Sequence, residues 1–303
     1  TSGGILRDPE EVRFHFIATK VGQYPVAWMC RLLRVSRSGY YAWRERKPSD
    51  RARRDVYLAA HIRAYFEASK QTYGSPRILL DLQEAGERVG RRRVMRLMRQ
   101  EGLCAHLPRR FRKTTDSEHD YETAPNIVDR NFVPDAPNEL WAVDISYVRT
   151  WVGWVYLAVV IDLYSRRVVG WSVADHMRAE LPLDALKSAI ALRRPGVGLV
   201  HHSDRGSQYC SNDYQKFLEE NQVECSMSRR ANCWDNACVE SFFATIKKEL
   251  IYRNTWPTES ALTSAIAKYM DFYNARRRHS TIGNCSPIEY ELATATDDFK
   301  MAA

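Results

Sequence analysis

An α/β fold is predicted for this 303-residue chain: a mixed-sheet catalytic core, helical segments before it and a helical segment after it. Three observations predict it. Apolar runs of strand length stand in series between residues 140 and 173, and strand-like and helix-like stretches then alternate to residue 250. The net charge of +8 is unevenly placed, with 26 Lys and Arg against 17 Asp and Glu in residues 1–135 and 19 against 20 in the remainder. Three acids, Asp144, Asp204 and Glu240, fall on these elements rather than in polar loops. A basic front half suits a polyanion, and the near-neutral back half carries the pattern of a chemical site.

Composition narrows the class further. At 45% hydrophobic and 27% charged, the chain has the makings of a soluble protein with a real core. No apolar stretch approaches the roughly 20 residues a bilayer span requires, so no membrane role is expected. Thr1-Ser2-Gly3-Gly4 has neither the charged start nor the apolar core of a signal peptide and reads as a processing or cloning scar. The seven cysteines are scattered and contain no Cys-x-x-Cys pair, which points to reduced thiols in a cytoplasmic protein.

In chain order, residues 1–50 form a first helical unit. Trp28, Met29, Leu32 and Leu33 mark one helix, Ser36 offers an N-cap, and Gly39 to Trp43 continue a second. This is either a helix-turn-helix or an ordinary helical hairpin. Residues 51–107 form a second unit of helix-turn-helix type. Val56, Leu58, Ile62, Tyr65 and Phe66 mark its first helix, Ser75 to Glu84 its second, and Gly86 a C-terminal stop. Arg91 to Arg99 is a helix with Val94, Leu97 and Met98 inward and Arg91, Arg92, Arg93 and Arg96 outward, as a helix that reads DNA needs; a solvated cationic face is the plainer alternative. Residues 108–136 lack periodicity, are basic at the front, and read as a linker able to track a phosphate backbone.

Residues 137–252 hold the core. Trp141–Val148, Gly153–Asp162 and Arg167–Val173 read as strands, Ala179–Leu192 as a helix, Val197–Ser203 as a strand, Ser211–Asn221 as a helix, Val223–Ser228 as a strand and Asp235–Leu250 as a helix. Three strands followed by alternating helices and strands is the RNase H-like pattern. Residues 253–303 form a helical extension: Thr258–Tyr273 has core spacing, Arg277, Arg278 and His279 follow it as candidate DNA contacts, and the chain from Thr294 reads as frayed.

Asp144 lies in an alternating strand, Asp204 ends a strand ahead of Arg205-Gly206, and Glu240 lies early in a helix, with 35 residues between it and Asp204. Converging carboxylates repel, so they favour a hard cation such as Mg²⁺ or Mn²⁺. Two such ions per site, with Asp144 bridging them and Asp204 and Glu240 completing one each, would stabilise an in-line displacement at phosphorus. Lys247, seven residues past Glu240 on the same helix face, is placed to hold a phosphate. Asp162 is also a strand-end acid, and spacing alone leaves it open as a ligand; His201 and His202 read as structural rather than ligating. Trp141, Trp154 and Trp171 read as core, and Trp234 as a ring that could stack on an unpaired base.

The wording around these residues resembles a known family. Trp141-Ala142-Val143-Asp144-Ile145-Ser146-Tyr147, Asp162-Leu163-Tyr164-Ser165-Arg166, His202-Ser203-Asp204-Arg205-Gly206-Ser207-Gln208-Tyr209, Asn232-Cys233-Trp234-Asp235-Asn236-Ala237, Glu240-Ser241-Phe242-Phe243, Tyr273-Asn274 and Ser286-Pro287 resemble bacterial insertion-sequence transposases of the IS-three family. The resemblance runs from about residue 26 to 291 and departs at Ala231, where the family usually has Gly. It implies that Asp144, Asp204 and Glu240 are the catalytic, metal-binding residues of an integrase-type core. It further implies binding of insertion-sequence ends and target DNA, excision through a circular intermediate, transfer of 3′-hydroxyl ends, and action as a homodimer or higher oligomer. Family members often carry an upstream zipper, and no sustained heptad is present here. Two rival readings remain at this point: an inactive DNA-binding regulator of the element, and a nuclease of the same fold without strand transfer.

Overall fold

The computed structural model describes residues 8–105, 123–129, 131–229 and 236–301, with side chains up to residue 295 in the last helix. Its first unit packs α1 (Glu10–Lys20), α2 (Val26–Leu32) and α3 (Arg37–Glu45) around Phe14, Ile17, Met29, Leu33 and Tyr40. Ser36 caps α3 by accepting from the Gly39 N–H, as its place before the Gly-Tyr-Tyr run predicts. The helix α1 adds to the sequence reading; its buried positions are a single i,i+3 pair, too little periodicity to stand out.

The second unit packs α4 (Asp50–Ala68), α5 (Ser75–Glu84) and α6 (Arg91–Gln100) around Leu58, Ile62, Phe66, Ile78, Leu82, Val94 and Leu97. Gly86 takes φ +82°, the left-handed stop that its position predicts. Val56 is exposed, so the inward stripe of α4 begins at Leu58.

A five-stranded mixed sheet follows: β1 (Leu140–Arg149), β2 (Trp154–Asp162), β3 (Arg167–Ala174), β4 (Val200–Ser203) and β5 (Glu224–Met227), in the order β3-β2-β1-β4-β5. The first three are antiparallel, and β4 and β5 run parallel to β1. Alternation sorts the side chains between two cores. Trp141, Val143, Ala158 and Val160 pack with α7 (Glu180–Arg193) and α8 (Asn212–Glu220); Ala142, Val159 and Ile161 pack with α9 (Ala237–Glu249) and α10 (Glu259–Ala275). The backbones of β3 and α7 meet at Gly170, where a Cβ would lie 2.2 Å from the Ala185 carbonyl oxygen. This is the RNase H-like arrangement expected from the strand and helix order. β4 starts at Val200 rather than Val197, because Gly198 turns the chain with φ +104°.

The C-terminal region differs from the sequence reading. In place of a frayed end from Thr294, α11 (Pro287–Met301) continues past it. A capping box starts it: the Glu289 N–H donates to Ser286 Oγ at 3.3 Å, and the Ser286 N–H donates to Glu289 Oε2 at 2.9 Å. The helix α10 is fixed to the sheet by Asn274, whose side-chain amide accepts from the Val168 N–H and donates to its carbonyl. Among the described residues no helix is long and apolar enough to cross a membrane.

Candidate active site

The register of the parallel strands explains where the first two acids fall. Ala142 stands opposite His202 across β1 and β4. Two residues further along each chain come Asp144 and Asp204, just where β4 has ended and β1 runs on. Alternation places Asp144 on the Ala142 side of the sheet, which α9 covers. Its Oδ1 accepts from the Ile145 N–H at 2.8 Å, and Asp204 Oδ1 accepts from the Gly206 N–H at 2.9 Å. Glycine suits position 206, since an added Cβ would lie 3.0 Å from that same Asp204 oxygen. Glu240 sits in the first turn of α9, which Val239, Phe242, Phe243 and Ile246 anchor in the core.

Asp144 registers the other two acids. Burial raises its carboxyl well above the usual range, the Asp204 charge raises it further, the Ile145 N–H opposes this, Glu240 adds to it, and Lys247 pulls it back. Lys247 is itself pushed down by burial and supported by Asp144, and its ammonium lies 5.4 Å from the centre of the Tyr147 ring. A strand centre, a strand end and a helix start therefore send three carboxylates into one electrostatic neighbourhood. Among the described residues, no three His, Cys, Asp or Glu side chains are grouped closely enough to hold a metal ion together. A divalent cation suits the donor set chemically, because all three donors are hard oxygens and a cation would offset the repulsion that Asp144 feels. To share an ion, the three would have to draw closer.

The other acid in the sheet has a different fate. Asp162 is fully buried and accepts from the backbone N–H groups of Asn138 and Tyr164 at 2.9 and 3.0 Å, with Arg193 at 3.2 Å. These contacts occupy it as an architectural anchor rather than a ligand. His201 and His202 are likewise structural. His201 bonds the Tyr214 hydroxyl at 2.8 Å, and burial pushes its pKa down to about 3; His202 bonds Ser226 Oγ at 2.9 Å. Trp141 is buried and Trp171 packs against the core, but Trp154 is exposed, because it lies at the outer end of β2 beyond the covering helices. Ala231 and Trp234, and the basic run 108–115, lie outside the described residues. Tyr209 is a neighbour to which the sequence reading assigns no role: burial raises its hydroxyl well above the usual range, and Asp144 and Asp204 add to this.

The cationic residues proposed from sequence as DNA contacts fall into two groups. Arg91 and Arg92 are exposed on α6. Arg93 and Arg96 lie beside them, but both hold Asp55, at 2.7 and 2.6 Å, which ties α6 to α4. The second group is turned inward. Arg277 is 7% exposed and grips Glu249, with its Nη2 2.7 Å from Oε1 and its Nε 2.9 Å from Oε2. Arg278 crosses to α5, where its Nε donates to Asp81 at 2.8 Å and its guanidinium also pairs with Glu84. His279 is buried edge-on against Tyr273, and burial together with Arg277, Arg77 and Arg166 pushes its pKa down to about 3. A neutral, enclosed imidazole and two internally paired guanidiniums pin the turn after α10 to α9 and α10 and, through Arg278, to α5 of the second helical unit. Phosphate contact by this triplet would require breaking those contacts.

A mixed sheet bearing carboxylates from three elements, behind a basic three-helix unit, defines a protein of the integrase-core class. Family models agree: "Integrase core domain" matches residues 134–233, a second model of that description matches 221–287, and "HTH-like domain" matches 52–111. The chain is 42% identical over 263 residues to "Insertion element IS600 uncharacterized 31 kDa protein" of Shigella sonnei, covering 86% of this chain and 97% of that one. It is 38% identical over 283 residues to "Transposase InsF for insertion sequence IS3A" of Escherichia coli, covering 92% and 98%. The chain belongs to the IS3 family of insertion-sequence transposases. Among solved structures, the HTLV-2 integrase catalytic core domain in complex with magnesium (dimeric form) is 20% identical with a TM-score of 0.41, over 52% of this chain and 98% of that one.

Proposed function

We propose that this protein is a DNA transposase that binds the ends of its insertion sequence, cleaves them and joins the resulting 3′-hydroxyl ends to target DNA. The single observation that carries the reading is Asp144: a half-buried carboxyl in the central strand, raised by two further acids, Asp204 just past β4 and Glu240 in the first turn of α9, with Lys247 opposing them. Such a cluster costs stability unless it is used, and phosphoryl transfer uses it.

Asp144, Asp204 and Glu240 would hold two Mg²⁺ or Mn²⁺ ions. When bound, these supply positive charge to the attacking and leaving oxygens of an in-line displacement. The chain's own residues would do the rest. Asp144, in the central strand of the sheet, fixes the position of the site. Lys247 faces Asp144 and would hold a phosphate of the scissile strand, while α6 presents Arg91 and Arg92 to duplex phosphate. Joining two ends in one event requires at least two copies of the chain on geometric grounds. A bacterial protein of this kind works in the cytoplasm, on nucleoid DNA.

The test is cleavage of DNA carrying the element's ends in Mg²⁺, followed by joining of pre-cut ends. Both should occur with the natural sequence and vanish in Glu240→Gln. Cleavage without joining would make the protein a nuclease, and binding without cleavage a regulator of the element; either result removes the transposase reading.

A further inference from the structure

The outer end of the β1–β2 hairpin carries aromatic surface that the reading above does not use. Trp151 is 72% exposed, Tyr252 58%, Trp154 47% and Tyr147 37%. Tyr147 and Arg149 lie on one face of β1, and Trp154, opposite Arg149 in the register, lies on the same face of β2. The Tyr147 and Trp154 rings meet edge to face, 5.2 Å apart at 86°. The Arg149 guanidinium lies 5.2 Å from the Trp154 ring, and Lys247 reaches the Tyr147 ring from α9. This is the lysine that feels Asp144, so Lys247 links the patch to the acid cluster, which lies on the opposite face of β1.

The hairpin tip is fixed in place. The Thr150 N–H and hydroxyl donate to the Gly153 carbonyl at 2.8 and 2.9 Å, the Gly153 N–H donates back to Thr150 Oγ1 at 3.2 Å, and the Trp151 N–H donates to the Trp256 carbonyl at 3.0 Å. Exposed rings on a bonded frame can bind without the entropic cost of ordering a loop. Glu249, the acid in the last turn of α9, is held by Arg277.

We infer that this ledge takes an unpaired nucleotide of the DNA strand being processed, with its base stacked on Trp154 and Tyr147 and its phosphates held by Arg149 and Lys247. The inference rests on the transposase reading and names the form of DNA that the site accepts. Aromatic faces beside cations suit a polyanion with exposed π-faces, and an unpaired base offers its face where a base inside a duplex does not.

The experiment uses the full chain without divalent metal and two end-sequence duplexes, one fully paired and one with about three unpaired terminal nucleotides carrying 2-aminopurine. The natural sequence should bind the frayed duplex more tightly and change the probe's fluorescence. Trp154→Leu should lose that preference, on the order of tenfold in affinity, and leave the paired duplex unaffected. Tyr147→Leu reads the same effect should Trp154→Leu fail to fold, and Arg149→Ala should lower the salt dependence of binding by about one phosphate contact. A folded Trp154→Leu that keeps the preference, or that changes the oligomeric state instead, overturns the inference. If the natural sequence cleaves and joins ends yet shows no preference for the frayed duplex, the inference fails and the transposase reading stands. If it binds neither duplex, both fail.

Discussion

Asp144 and Asp162 lie in adjacent strands of one sheet, and the fold treats them in opposite ways. Burial raises both carboxyls. Around Asp162 the fold supplies two backbone N–H donors and Arg193, and Arg193 is shared with Glu291 of α11 at 2.8 Å. Around Asp144 it supplies one backbone N–H, a lysine, and two more acids. Compensated charge ties elements together; like charge gathered in a half-buried site is, under the proposed function, where an external cation and substrate would complete the balance. The arginines divide in the same way. Arg277 and Arg278 are spent on Glu249, Asp81 and Glu84, whereas Arg91 and Arg92 face solvent.

This contrast can be broken most sharply by replacing each acid with an uncharged side chain. Asp144→Asn should lower end cleavage by on the order of 10³-fold while the protein stays folded, as measured by strand-cleavage assay and circular dichroism. Asp162→Ala should do the reverse in kind, costing about 3–5 kcal/mol in urea unfolding because Arg193 and two backbone donors lose their acceptor. Equal stability losses in the two variants would remove the distinction. Next in size, Gly170→Ala should cost about 1–3 kcal/mol, because the new methyl meets the α7 backbone where no side chain can move aside.

A smaller effect sharpens the electrostatic half of the comparison. The folded-state pKa of Asp144 is raised, so the native protein holds this proton more tightly than the unfolded chain does. Stability from this group is therefore present at low pH and lost as pH rises from the ordinary carboxylate range, about 3.9, through the raised native value. Above that window Asp144→Asn should melt about 2–4 °C higher than the natural protein in EDTA, and the difference should close below the ordinary range. Mg²⁺ should raise the melting temperature of the natural protein and not of the variant. The smallest effect concerns the arginines: Arg91→Ala should lower the salt slope of DNA binding by about one, whereas Arg278→Ala should loosen the α5 contact and leave that slope unchanged.

Much of the core was legible because strand alternation and helix spacing report local burial. Ser36 and Gly86 marked helix boundaries through their own chemistry, and the strands holding Asp144 and Asp204 could be read within a few residues. The Ser286–Glu289 capping box was also present as a signal for α11, but the polar composition after Thr294 masked it. Trp154 misled, because a large ring in an apolar run looks like core unless the position where the covering helices stop is known.

What the sequence determined by itself was the order of elements, the helical front unit, the placement of two acids at strand positions and one at a helix start, and membership in an insertion-sequence family. Only the tertiary structure decided which charges neutralise one another. That Asp162 meets Arg193, that Arg278 reaches across to Asp81, and that Asp144 is left among acids depends on contacts between residues far apart in the chain. The physical reason is that periodicity records which side of an element is dry, whereas pairing depends on distances between elements, which no local pattern contains.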